Sequence, residues 1–262
     1  GSLLILVAFL FKAAAFPFHA WVVDVYDGAP LPVTGFMATA VKTAVFAVFA
    51  NFLVINGQLQ EGWINYLFYI SVLTMFVGNL IAIGQNSLKR MLAASGIVHT
   101  GYLIIALVAV NSEGFTGSTI IFYLAAYAAS TLGIFAALSY LGGEGEKRNS
   151  FEDFNGLAKV RPYSAACIAI FLLSMAGIPP TAGFMGKFYI IAGAFQGGYI
   201  SLGVLGIFSS ILSMWYYLRL IIAMYFQEPE EDFEVAEMTL APLGTFVLAL
   251  SVFAISFIPV VI

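Results

Sequence analysis

Residues Gly177–Gly183 read Gly-Ile-Pro-Pro-Thr-Ala-Gly and lie in the middle of a long apolar run, 164–197. As one straight helix this run would be about 50 Å long at ~1.5 Å per residue, whereas a bilayer core is about 30 Å thick. Two successive prolines remove two backbone donors and clash with the preceding turn, so the helix must break. Lys187 follows the second glycine by one helical turn. The sequence therefore predicts a membrane segment in two helical pieces with a lysine beside the break.

A similar interruption lies in residues 1–27, at Phe16-Pro17-Phe18-His19, with Lys12 close to it. Four predicted segments lie between the two interrupted ones, which are the first and the sixth, so the two cross the membrane in opposite directions. Proline-interrupted segments in corresponding places indicate an inverted-repeat transporter and its ion site. The correspondence is imperfect, because Lys12 precedes its proline whereas Lys187 follows its pair.

The composition is that of a chain solvated largely by lipid. Hydrophobic residues make up 61% and charged residues 9% of the 262 residues, whereas soluble domains carry about 25% charged residues. The mean hydropathy is +0.98. We therefore predict an all-α polytopic membrane protein, a single membrane domain over 1–262 with about eight transmembrane segments. These segments are 1–27 (interrupted), 32–56, 64–84, 91–111, 117–141, 164–197 (interrupted), 200–226 and 240–261.

Several classes of function are excluded or disfavoured by the same sequence. The net charge of −4 and the lack of a basic stripe argue against nucleic acid. The single cysteine, Cys167, excludes an intrachain disulfide and a cysteine-ligated cluster. Two histidines without acids at ligand spacing make a weak metal site, and no dinucleotide, phosphate-loop or haem motif occurs.

The chain starts within an apolar run without a start methionine, so we expect a piece of a longer protein.

Basic residues mark one side of the membrane. Loops 85–90 and 142–163 carry Lys and Arg, and loop 227–237 and the turn near 24–31 belong to the same side. Loops 57–63, 112–116 and 197–199 carry none. The positive-inside rule predicts that the first side is cytoplasmic and that the C-terminus after Ile262 faces the periplasm. The basic residues on the first side are Lys89, Arg90, Lys147, Arg148, Lys159 and Arg161, with Arg219 directed toward it.

Three lysines fall deep within predicted spans. Lys12, Lys42 and Lys187 each lie about 14 Å or more inside, at ~1.5 Å per residue. Each costs at least ~2.5–3.5 kcal/mol to insert. Snorkelling is the alternative to a functional role, but a lysine stem reaches only about 6 Å. Burial favours the neutral amine, which can take up and release a proton. We therefore predict proton-transfer roles for these three lysines.

The two histidines give weaker evidence for proton transfer than the three lysines do. His99 lies about 12 Å into its segment and is a candidate proton relay. A neutral histidine hydrogen-bonded to a neighbouring helix explains it equally well, and both interpretations stay open. His19 follows Pro17 in the first break and suits a structural or relay role better than a metal ligand. No Asp or Glu lies deep in any segment, so an acidic partner must lie outside this sequence, in another subunit, or nowhere.

Several motifs in order resemble one family from end to end of the chain. They are 11–21 (Phe-Lys-Ala-Ala-Ala-Phe-Pro-Phe-His-Ala-Trp), 24–33 (Asp-Val-Tyr-Asp-Gly-Ala-Pro-Leu-Pro-Val), Lys42-Thr43-Ala44, Lys89-Arg90-Met91-Leu92 with Ser95–Tyr102, and 176–188 around the double proline. The chain resembles the antiporter-like subunits of respiratory complex I. The form of 24–33 is similar to the subunit N type of NADH:quinone oxidoreductase rather than to types L or M.

The resemblance implies a fourteen-helix fold with two inverted five-helix repeats whose broken helices carry channel lysines. Residues 1–56 would end the first repeat, 64–226 would form the second, and 240–261 the final helix. Lys12 is then the lysine of the first broken helix, Lys42 the central lysine, and Lys187 the lysine of the exit half-channel. The family's glutamate partner of the first lysine belongs to an earlier helix and has no counterpart here.

The function implied is proton translocation coupled to quinone reduction elsewhere in a complex in the bacterial inner membrane. NAD, FMN, iron–sulfur clusters and quinone would be bound by other subunits, with no cofactor in this chain. Implied partners are a second antiporter-like subunit, small membrane subunits and lipid. Two alternatives remain: a subunit of a multi-subunit cation/proton antiporter or membrane-bound hydrogenase, and a scaffold subunit that moves no protons.

Overall fold

The computed structural model describes residues 1–109, 117–142, 145–229 and 241–258, and their side chains except those of 57–61. Within these ranges the chain is almost entirely helical. The helices are α1 Ser2–Ala13, α2 Ala20–Gly28, α3 Leu31–Phe36, a π-helical turn Met37–Val41, α4 Lys42–Ile55, α5 Gly57–Ile83, α6 Leu88–Ala109, α7 Gly117–Leu141, α8 Leu157–Val160, α9 Pro162–Ala176, α10 Ala182–Gln196, α11 Ile200–Phe226 and α12 Ala241–Ser256.

Five helices are long and apolar enough to cross a membrane: Leu31–Ile55, Gly62–Ile83, Leu88–Ala109, Gly117–Leu141 and Ile200–Phe226. Shorter apolar helices, α1, α9 and α12, account with α2 and α10 for the remaining predicted segments. The all-α membrane architecture is thus confirmed. The predicted loop 112–116, most of loop 227–237 and the end of the last segment lie outside the described residues.

Both predicted helix breaks are present. Helix α1 ends at Ala13, Ala14 takes left-handed backbone angles (φ 56°), and α2 begins only at Ala20. Helix α9 ends at Ala176 and is followed by left-handed Gly177 (φ 83°). Helix α10 then begins after Thr181, whose side chain accepts a hydrogen bond from the backbone N–H of Phe184. Proline cannot continue a helix from its interior, which explains why the chain leaves helical geometry at these places.

Helix α6 occupies the centre of the bundle. Every residue of its 18-residue membrane window is buried inside the protein. Glycines let α5 approach it closely: a Cβ on Gly101 would lie 2.3 Å from Cγ of Met75, and one on Gly78 would lie 2.9 Å from Cγ2 of Val98. A helix encased in this way holds its polar side chains away from both lipid and water, so each needs a partner within the protein.

The π-helical turn was not predicted. It spans Met37–Val41, directly before Lys42, within a helix that otherwise runs from Leu31 to Ile55. Single π-helical turns are rare and often occur at functional sites. The apolar pattern continues through this stretch without a proline or a charge, so nothing in the sequence distinguishes it from a regular helix.

The loops predicted to share one side of the membrane meet at one end of the bundle. Arg90 contacts Asp24 at 3.0 Å and Asp27 at 3.3 Å. Arg219 donates to the carbonyl of Gln85 at 3.1 Å, and Lys159 pairs with Glu228. These contacts join the ends of α2, α5 and α11 with the first turn of α6 and with α8, so the shared location of these loops is confirmed.

Candidate proton-transfer site

Lys42 is buried at the start of α4, with 7% of its surface exposed. Its Nζ donates a hydrogen bond to the backbone carbonyl of Gly96 on α6. The ammonium also lies over the ring of Tyr127, 5.2 Å from the ring centre. A single carbonyl and an aromatic face are weak compensation for a buried charge, and among the described residues no carboxylate contacts it. Lys42 is therefore a buried amine held by one carbonyl and one ring.

Lys187 is buried in α10 and 4% exposed. Its Nζ donates to the carbonyls of Met175 and Ala176, both at 2.9 Å, and contacts Oγ of Ser210 at 3.2 Å. Those carbonyls are the last two of α9, which the break leaves without helical partners. The partial negative charge at a helix C-terminus also favours a cation there. The break therefore builds the site that holds Lys187.

The two breaks place a lysine alike although the order in sequence differs. Lys12 lies in the last turn of α1, and Lys187 reaches back from α10 to the last turn of α9. Lys12 is thus part of the C-terminal end of its first half-helix, and the amine of Lys187 lies at the C-terminal end of α9; broken transporter helices hold cations at such ends. The imperfect correspondence in sequence is thus a matter of which half-helix supplies the side chain.

His99 is buried on α6 between two tyrosine hydroxyls. Its Nδ1 is 2.6 Å from the hydroxyl of Tyr123, and its Nε2 is 3.3 Å from that of Tyr217. A hydroxyl can donate or accept. Either neutral tautomer of the histidine, and the imidazolium as well, can therefore be hydrogen-bonded on both sides without moving a helix.

Two tyrosine rings link His99 to both buried lysines. The His99 ring lies 4.8 Å from the ring of Tyr127, over which Lys42 is placed. It lies 6.4 Å from the ring of Tyr102, and Nζ of Lys187 is 5.0 Å from that ring. Lys42, His99 and Lys187 thus form one buried series across the bundle, held by α4, α6 and α10.

Lys12 departs from the prediction that all three lysines are buried. Its side chain is exposed, on a face of α1 that no described element covers. Distance along the sequence places a residue at a depth in the membrane, but it does not say which way the helix faces. Lys12 and Lys42 nevertheless line one cavity of about 140 Å³, which has room for several water molecules. The structure therefore brings Lys12 to the site as its accessible member.

A second, smaller void of about 10 Å³ lies between His99 and the second break, lined by Tyr123, Tyr127, Ser174 and Gly183. This is about the size that one water molecule needs. The hydroxyls of Ser130 and Ser174, 2.8 Å apart, lie beside it. Ser174 also accepts from the backbone N–H of Gly183 at 3.1 Å.

Sequence reasoning missed several polar members of the site. Tyr217 and Ser210 on α11 gave no signal, because an isolated tyrosine or serine in an apolar helix is commonly a packing residue. Asn79 is fully buried on α5 and contacts Oγ of Ser209 at 2.9 Å. An amide at that depth is a signal that could have been used. Among the described residues, no group of three His, Cys, Asp or Glu is arranged to hold a metal.

The chain matches known proteins both in sequence and in fold. The family described as NADH:quinone oxidoreductase/Mrp antiporter, TM, matches residues 1–213. NADH-quinone oxidoreductase subunit N of Trichlorobacter lovleyi is 43% identical over 245 residues, 93% of this chain and 50% of that protein. The subunit N of Bdellovibrio bacteriovorus is 40% identical over 98% of this chain and 54% of its own length. The chain thus spans about half the length of these relatives.

Solved structures share the fold. A chain of respiratory complex I from Thermus thermophilus superposes with a TM-score of 0.84 at 34% identity, covering 97% of this chain and 56% of that one. A chain of the Mrp complex from Dietzia has a TM-score of 0.86 at 20% identity, over 97% of this chain and 55% of its own, which is a likeness of fold alone. With its broken helices, its central lysines and a match over most of its length, the chain belongs to the NADH:quinone oxidoreductase/Mrp antiporter family of transmembrane proteins.

Proposed function

We propose that this chain is the proton-translocating part of subunit N of an NADH:quinone oxidoreductase, and that Lys42, His99 and Lys187 carry the proton. The observation that carries the proposal is the buried series in which His99 lies between two lysines, linked by Tyr127 and Tyr102. The printed names of the similar proteins support the choice of complex.

The chemistry required of each residue is uptake and release of a proton in a medium of low dielectric. Burial removes water from each amine, while the carbonyls that accept its hydrogen bonds take the place of part of that water. A charge on one lysine disfavours a charge on the next. Loading Lys42 would therefore promote release from Lys187, with His99 passing the proton between its two hydroxyl partners.

Entry of the proton is assigned to the cavity that Lys12 shares with Lys42. Lys12 is exposed here, and a carboxylate beside it, from another segment or another subunit, would stabilise its charge. We place a glutamate in that role because the family resemblance implies one. The assignment makes Lys12 the loading residue and Lys42 the first buried station.

The rest of the complex would supply the redox chemistry. NAD, FMN, iron–sulfur clusters and quinone are assigned to other subunits, as the family resemblance implies. The partners would be further membrane subunits, including a second antiporter-like subunit. The chain would lie in the bacterial inner membrane, with the Arg90 end of the bundle cytoplasmic by the positive-inside rule. The repeat boundaries 1–56, 64–226 and 240–261 remain part of this proposal.

Two other functions can be separated from this one. A cation/proton antiporter or membrane-bound hydrogenase subunit would share the module, and the subunits that co-purify would identify it. A scaffold subunit would keep the lysines without moving protons. Lys42 and Lys187 are buried and, within the described part of the chain, have no carboxylate partner. This disfavours a scaffold, because a charge without function is costly to retain in a membrane.

The experiment is proton pumping by the assembled complex in sealed vesicles. Lys187→Ala should reduce pumping by about 10²-fold or more, the usual cost of losing a proton-transfer group. Lys159→Ala is the matched control, because Lys159 forms an exposed pair with Glu228 at the end of the bundle. Parent-level pumping by Lys187→Ala, at normal subunit content, would overturn the proposal.

A further inference from the structure

The carboxylate of Glu146 joins two helices that carry the proposed proton path. Its Oε2 accepts from Nζ of Lys89, at 2.8 Å, in the first turn of α6. Its Oε1 accepts from the backbone N–H of Leu31, at 2.6 Å, at the start of the helix that leads to Lys42. Each oxygen thus serves a different helix. A carboxylate at a helix N-terminus is also favoured by the helix dipole.

The surroundings of Glu146 are built to hold this contact. The Lys89 side chain is 9% exposed and that of Glu146 is 24% exposed, so water screens the pair only in part. The carbonyl of Asn149 accepts from the backbone N–H of Leu88 at 2.7 Å. An isolated β-bridge between Ser87 and Ser150 fixes the same loop to α6. The loop is therefore fastened to α6, and Glu146 extends from it to the other helix.

The same two helices meet again at the proton site. Lys42 lies about 16 Å along its helix from Leu31, and Gly96 lies about 10 Å along α6 from Lys89, at ~1.5 Å per residue. There Nζ of Lys42 donates to the carbonyl of Gly96. Glu146 therefore joins the two helices at Leu31 and Lys89, and the Lys42 contact joins them again at Gly96. These two connections and the two helices between them form a ring, and the π-helical turn lies in the part of the ring between Leu31 and Lys42.

We propose that Glu146 is a positioning residue for proton transfer: by holding the start of the Lys42 helix against α6, it sets the place of Lys42 relative to Gly96 and His99. This inference rests on the proposed function. It assigns a role to a carboxylate at the ion-paired end of the bundle, far from the reacting amine. The helix between Leu31 and Lys42 includes a π-helical turn, whose hydrogen bonding is less regular than that of an α-helix. The contact of Glu146 with the start of this helix therefore fixes the position of the helix against α6, which the π-helical turn alone does not fix.

The test compares variants in the assembled complex in vesicles, with rates normalised to subunit content. Glu146→Ala should lower the pumping rate about fivefold or more, the lower end of typical coupling between separated sites. It should also raise the solvent deuterium isotope effect on turnover, because proton transfer becomes the slower step. Glu228→Ala is the control, since Glu228 forms an exposed pair at the same end and touches neither helix of the ring.

A lowered rate together with a larger isotope effect supports the proposal. A parent rate, or a lowered rate with an unchanged isotope effect, overturns it, because a loss of assembly alone changes content and not the isotope effect. If Glu146→Ala does not assemble, Glu146→Gln carries the same test, since glutamine keeps the length but can accept from only one of the two donors. Parent-level pumping by Lys42→Ala in the same vesicles would instead overturn the proposed function.

Discussion

At the scale of single residues, the position of His99 between two tyrosine hydroxyls explains how one side chain could serve protons arriving from either direction. Its Nδ1 faces Tyr123 and its Nε2 faces Tyr217. Passing a proton through an imidazole exchanges its tautomer, and the neighbours must then exchange donor and acceptor roles. Rotating a hydroxyl hydrogen achieves this without displacing heavy atoms.

Removal of one hydroxyl tests this account. Tyr123→Phe leaves Nδ1 of His99 without its partner, at a cost of ~1–3 kcal/mol for an unpaired buried group. We expect proton pumping to fall roughly tenfold, equivalent to ~1.4 kcal/mol in the barrier. Tyr69→Phe is the control, because Tyr69 is 67% exposed on α5. Equal pumping by the two variants would contradict a relay through Tyr123.

For single residues, the cost of a lysine charge in the membrane predicted two enclosed side chains correctly. The sequence did not predict the direction in which the Lys12 side chain leaves α1. Lys42 and Lys187 are buried as predicted, because a lysine at that depth needs an enclosed site. Lys12 lies at a comparable depth but faces outward, which its sequence neighbours do not reveal. Tyr217 joins the site only because α11 packs beside α6, a contact between residues far apart in the chain.

At the scale of helices, the second break is held by a very close approach between its two halves. A Cβ placed on Gly183 of α10 would lie 1.8 Å from the carbonyl oxygen of Ser174 on α9. Only glycine allows this contact. The hydrogen bond from the backbone N–H of Gly183 to Ser174 depends on the same approach. The carbonyls that hold Lys187 lie on the same half-helix, immediately after Ser174.

A methyl group at that contact should therefore disturb the proton site. Gly183→Ala should destabilise the break by about 1–3 kcal/mol, the usual cost of overpacking, and lower pumping at Lys187. Thermal inactivation of the assembled complex and pumping per complex would be measured together. Gly62→Ala is the control, because no atom lies within 4 Å of a Cβ at that helical position. A Gly183→Ala complex as stable and active as the control would contradict this role for the break.

The helices show what a sequence pattern can and cannot predict. The double proline fixed the position of the second break to within a few residues, because proline excludes helical geometry whatever surrounds it. The π-helical turn before Lys42 has no such marker, since alanine, threonine and valine fit either helical form. The turn packs against α7, and a single sequence does not display this contact between distant parts of the chain.

At the scale of the whole molecule, the bundle has one polar, ion-paired end and apolar flanks. The contacts of Arg90, Arg219 and Lys159 gather at that end. The basic residues in the loops predicted this grouping correctly, because loops on the same side of a membrane must meet at one end of a helical bundle. Which face of the membrane that end occupies follows from the positive-inside rule and remains a prediction.

Cysteine labelling of intact cells would test the orientation. In a Cys167→Ala background, a cysteine at exposed Lys147 should resist an impermeant reagent added from outside, because this end is predicted to be cytoplasmic. Gln196 is exposed at the C-terminal end of α10, on the side of the bundle opposite to Lys147. A cysteine at this position should be labelled once the outer membrane is made permeable. The reverse pattern would show that the orientation is inverted.

The most direct test of the central claim, that buried lysines carry the proton, is pumping by a Lys42→Arg complex in sealed vesicles. Arginine keeps the positive charge and can still donate to the carbonyl of Gly96, but it does not release its proton in proteins. We therefore predict that Lys42→Arg, assembled at parent subunit content, pumps no better than Lys42→Ala. Pumping by Lys42→Arg at the parent rate would contradict the claim and favour a scaffold role for this chain.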